Sequence, residues 1–108
     1  MPTYLIQASY TAQGVSGLTQ SPEDRSGVIR SLLEGLGGTL EAFYYAFGDY
    51  DVVEIVELPD SVSMAAFSMA LGASGAVTNV KTTVLIPVSE GVEAARKAGS
   101  IGYRPPGS

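Results

Sequence analysis

The chain has 108 residues, 45% of them hydrophobic and 16% charged, which suits one packed domain and excludes a disordered composition. Six Lys and Arg against eleven Asp and Glu give a net charge of −5 with no basic cluster, so nucleic acid and anionic membranes are poor partners. Without Cys or His there is no disulfide, thiolate metal site, Cys nucleophile or His base, and with no leader or apolar span the expectation is a cytoplasmic protein needing no cofactor or metal.

Tyr4 to Tyr10 alternates Tyr4, Ile6, Ala8 and Tyr10 with Leu5, Gln7 and Ser9, the period of a strand. Thr11 to Gln20 is polar and holds Gly14 and Gly17, which predicts a loop. A helix is predicted to begin at Ser21 as cap, with Pro22 in its first turn and Glu23 and Asp24 at its positive end. Val28, Ile29, Leu32, Leu33 and Leu36 fall on one face of it, and Gly37-Gly38 ends it.

Thr39 to Phe47 and Asp51 to Leu58 read as two strands joined by a tight type II′ turn at Gly48-Asp49. Pro59 ends the second of them, and Asp60 or Ser61 caps a helix running to about Leu71. Val77 to Ile86 is the fourth strand, Ser89 to Ala98 a third helix, and residues 99–108 an irregular tail. The order β-α-β-β-α-β predicts an α+β, ferredoxin-like domain over residues 1–108, its antiparallel sheet in spatial order 4-1-3-2 with a C-terminal helix appended.

Two crossover helices cover one sheet face, so the other needs a partner or stays wet. A two-residue turn would pair Tyr45 with Val52, Phe43 with Glu54 and Glu41 with Val56. On that reading Leu40, Ala42, Tyr44, Val53 and Ile55 lie under the helices. Phe43, Tyr45, Phe47, Val52 and Val56 lie on the helix-free face, with Leu5, Gln7, Ser9, Lys81, Thr83 and Leu85. Such an apolar patch predicts a homodimer or higher oligomer through the sheet.

The stretch Tyr44-Tyr45-Ala46-Phe47-Gly48-Asp49-Tyr50-Asp51 resembles the signature of the GYD-domain family, carried here by Gly48-Asp49-Tyr50. Tyr10-Thr11, Ser21-Pro22-Glu23-Asp24-Arg25, Leu36-Gly37-Gly38, Pro59-Asp60, Lys81-Thr82-Thr83 and Tyr103-Arg104-Pro105-Pro106 follow the same family in order along the chain. The resemblance implies a small domain similar to the dimeric α+β barrels. It brings no catalytic residues with it.

Asp49 and Asp51 flank Tyr50 at the hairpin, where ordinary turn chemistry accounts for them better than a hard-metal or general-base site does. Arg25 suits a local ion pair with Glu23 or Asp24 better than anion binding. Glu54 and Lys81 are charges among aromatics on the supposed covered face, and buried charges favour pairing with each other or across an interface. Tyr10, Phe43, Tyr45, Glu54 and Lys81 are therefore the candidate ligand-binding residues of a sheet-lined pocket. The leading expectation is a non-catalytic homo-oligomer that binds a small, mostly apolar molecule. The alternatives are a cofactor-free enzyme of the small-monooxygenase or isomerase type, and a purely structural or interaction module.

Overall fold

The computed structural model describes residues 1–107. Its strands are β1 (Thr3–Tyr10), β2 (Thr39–Tyr45), β3 (Val52–Glu57) and β4 (Val77–Leu85), and its helices α1 (Ala12–Gln20), α2 (Ser26–Gly35), α3 (Ser61–Ala73) and α4 (Val88–Ser100). The strands form one antiparallel sheet in the order β2-β3-β1-β4. That is the expected 4-1-3-2 arrangement counted from the other edge, with the ferredoxin-like placing of helices against the sheet. It is an open sheet rather than a closed barrel.

The segment read as a loop after β1 is the helix α1. Thr11 caps it, its hydroxyl accepting from Gly14 N at 3.1 Å and donating to Gly75 O at 2.7 Å. Gly14 is buried, and a Cβ there would run into the carbonyl oxygen of Ala76. The two helical glycines that weaken the local signal thus include one required by close packing. The helix expected from Ser21 starts later, at Ser26, whose N–H and hydroxyl both donate to Asp24 Oδ1, at 2.9 and 2.6 Å. Residues 21–25 link α1 to α2. Asp60 caps α3 as expected, accepting from Ser63 N at 2.8 Å.

The hairpin keeps two of the three expected pairs, Tyr45 with Val52 and Phe43 with Glu54. The third fails, since a bulge between Leu40 and Ala42 sets Leu40, not Glu41, opposite Val56. Gly48 does not take the positive φ that a type II′ turn requires, and the ladder stops at Tyr45, leaving a six-residue connection closed by Ala46 N donating to Asp51 O at 2.8 Å.

Leu40 lies on the helix side as expected, opposite Val56 and against the core, but beyond the bulge the two faces of the hairpin are reversed from the sequence reading. Ile6 pairs with Glu54 and Ala8 with Val52, so Val52, Glu54 and Val56 share the helix-covered face with Tyr4, Ile6 and Ala8. There Tyr4, Ile6 and Val56 join Ile29 and Leu33 of α2, Met64 and Phe67 of α3, and Leu58 in the core. Phe43 packs against that core rather than on an open face. The open face carries Leu5, Gln7, Val53 and Ile55 on the central strands, all half-buried, with Tyr44, Lys81, Thr83 and Leu85 towards the edges. For β1 and β4 this is the face that the sequence predicts. A carboxylate between two valines reads as the wetter side of β3, and here it is the drier one.

Candidate functional site

Between the helix side of the sheet and α1, α2 and the end of α3 lies a cavity of about 490 Å³. Ala8 and Tyr10 of β1, Val52 and Glu54 of β3, and Phe43 of β2 form its floor. Leu18, Ile29, Leu32 and Leu71 wall it, and Glu23 and Arg25 of the α1–α2 link also line it. The volume falls in the range of small-molecule sites, and so does the chemistry of mostly apolar walls with few polar groups.

Glu54 is the polar centre of this cavity. It is 3% exposed and is the buried charged residue among the described residues. Its Oε1 has no hydrogen-bond partner. Removal from water disfavours the ionised form, and the carboxyl is pushed up to about 7. The expected pairing with Lys81 does not form, because Lys81 stands opposite Gln7 on the other side of the sheet. Arg25 binds Glu23 at 2.7 Å. That is the local ion pair expected of it.

The aromatic candidates do come together. Tyr10 and Phe43 line the cavity with Glu54. The Tyr45 ring stands 5.6 Å from Phe43, edge-on, and 6.4 Å from Tyr10. Tyr45 lines a shallower hollow beside Tyr10, with Val15, Leu18, Pro22 and Phe47. Burial, then the neighbouring Tyr45, pushes the Tyr10 phenol up to about 12, with Arg25 opposing the rise. The phenol therefore stays protonated and is no ready general base.

The carboxylate of Asp51 has a structural job. Its Oδ2 accepts from Tyr10 N at 2.8 Å, while its own N–H donates to Ala8 O at 2.9 Å. The hairpin end is thereby tied to the strand end that carries Tyr10. Among the described residues no cluster of three or more His, Cys, Asp or Glu side chains could hold a metal. The helix α1, read as loop, supplies Gly14, Gly17 and Leu18 to the cavity wall. A Thr cap followed by Val15 and Leu18 was its only signal in the sequence.

A family model described as GYD domain matches residues 4–95. A curated protein of Thermus thermophilus, named "Glutamine synthetase and cystathionine beta-lyase binding protein", is 31% identical over 90 residues, covering 83% of this chain and 94% of that protein. The hypothetical protein PHS023 from Pyrococcus horikoshii has a solved structure that matches with a TM-score of 0.51 and 16% identity, over 81% of this chain and 92% of that one. A crystal structure of an FFRP protein matches with a TM-score of 0.50 and 18% identity, over 80% of this chain and 100% of that one. At these identities the two structures speak for the fold alone.

Proposed function

We propose that this chain, which belongs to the GYD-domain family, is a non-catalytic, single-domain binding module that self-associates and holds a small, mostly apolar molecule in the cavity beside Glu54. The observation that carries the reading is the apolar cavity of about 490 Å³ with one buried, unpartnered carboxyl oxygen on its floor. A solid core would need neither. Leaving a buried acceptor without a donor costs about 1–3 kcal/mol, a cost that an occupant supplying the donor offsets.

Self-association would use the open sheet face, where Leu5, Val53, Ile55 and Leu85 are half-buried and Tyr44 is exposed. The occupants differ by face: a small molecule under the helices, another protein surface over the open sheet. The Thermus relative, named as a binding protein of two enzymes, supports a second reading, in which the same open face docks on another protein. A cytoplasmic setting suits both.

Binding to the cavity is tested by titrating an environment-sensitive apolar fluorophore. We expect saturable binding, lost when Leu32→Trp fills the wall. Equal binding to that variant would place the dye on the open sheet face and remove the support for an occupied cavity.

A further inference from the structure

The cavity's charge and its rings narrow the class of occupant, and the narrowing rests on the ligand-site reading above. We infer that the occupant is an organic ammonium ion, a compact apolar body whose one protonated amine donates to Glu54 Oε1 and lies against the rings of Phe43 and Tyr10.

Three observations converge on this. Glu54 Oε1 is a buried acceptor without a donor; among the described residues Arg25 is the cation lining its cavity, and it is engaged by Glu23, while Lys81 faces away across the sheet. Phe43 sits directly opposite Glu54 in the ladder and lines the same cavity with Tyr10, so two aromatic side chains share the cavity with the carboxyl. A desolvated carboxylate beside aromatic rings is suited to an ammonium, which gains both an ion pair and cation–π attraction. Finally, the charged groups lining the cavity are Glu23, Arg25 and Glu54, so ionised Glu54 leaves it one negative charge that a monovalent cation neutralises. An anionic ligand would face that charge unscreened.

The titratable groups facing Glu54 are few. Tyr10 comes from β1, with Tyr45 of β2 beside it, and Glu23 and Arg25 come from the α1–α2 link. The lining residues from α1, α2, α3 and β4 include none. With its carboxyl held at about 7, Glu54 must lose its proton before it can pair with an ammonium. Amine affinity therefore rises with pH, on the order of tenfold between pH 6 and pH 8, because the ionised fraction of the empty site grows by that factor.

The test is calorimetric titration with phenylbutylamine and with its neutral counterpart phenylbutanol. The amine should bind at least about tenfold tighter than the alcohol at pH 8, in line with the gain from a buried ion pair over a neutral contact. Glu54→Gln should abolish that preference while leaving alcohol binding in place, and Phe43→Leu should reduce it. A thermal melt of each variant shows whether it is folded. Equal binding of amine and alcohol by the wild type, or a preference that survives Glu54→Gln, overturns the ammonium assignment and leaves the cavity reading standing. If neither compound binds, both fall.

Discussion

Burial of Glu54 between Val52 and Val56 makes its carboxyl hold a proton to about pH 7 in the fold, against an ordinary value of 4.5. Below that ordinary value the folded and unfolded chains are both protonated there and stability is intact. As pH rises towards 7 the unfolded chain ionises first, so stability falls across that window and levels off above it. The loss is up to about 3 kcal/mol. Glu54→Gln should remove the slope and leave the variant more stable than the wild type at pH 8, as measured by urea unfolding at both ends of the window. Parallel slopes for the two proteins would place the carboxyl in water. Asp24 and Asp60 are held below their ordinary value by hydrogen bonds from Ser26 and Ser63. They act in the opposite sense, losing their contribution only as pH falls below that window. Asp51→Ala removes the acceptor for Tyr10 N and should cost about 1–3 kcal/mol. Faster hydrogen exchange at Tyr10 than at Ile6 would locate the damage at the cavity.

The helix α1 depends on a contact that its own sequence does not announce. Gly14 meets the backbone of Ala76 so closely that any side chain must push α1 off the sheet. Gly14→Val should destabilise by on the order of 3 kcal/mol, read from the urea midpoint, whereas Gly17→Ala, with open space around it, should be neutral or slightly stabilising. If both substitutions cost the same, the close approach is not what α1 needs. Strand order, the α3 cap and the Tyr45–Val52 and Phe43–Glu54 pairs were legible because alternation, Asp60 and hairpin spacing are local signals. α1 was not, since its glycine serves a tertiary contact 62 residues along the chain at Ala76. The faces of β3 were not either. In Val52-Val53-Glu54-Ile55-Val56 both alternating sets are apolar, and the lone charge points to the wrong one. Of the candidate site, Tyr10, Phe43 and Glu54 share the cavity, Tyr45 flanks it, and Lys81 stays on the open face as expected, parted from Glu54 because Glu54 lies on the other side of the sheet.

The whole molecule measures 58 × 33 × 22 Å, with a radius of gyration of 17.3 Å. A compact domain of this length has about 13 Å. α4 contributes to the excess, burying no residue and leaving Val88 and Val92 exposed, as are Ile86 before it and Ile101 after it. Apolar surface on α4 and on the open sheet face favours association. Light scattering on a sizing column should give a mass of at least twice 11.2 kDa. Ile55→Asp, on the open face, should shift it to the monomer, while Glu54→Gln, one residue away on the other face, should not. A wild type that stays monomeric at high micromolar concentration would contradict self-association but leave the cavity untouched. Whether an amine fills the space beside Glu54 is tested most directly by a crystal structure grown with saturating phenylbutylamine. The predicted result is the amine nitrogen about 3 Å from Glu54 Oε1 with its ring among the apolar walls; a cavity holding only water, with the amine bound elsewhere or not at all, would contradict it.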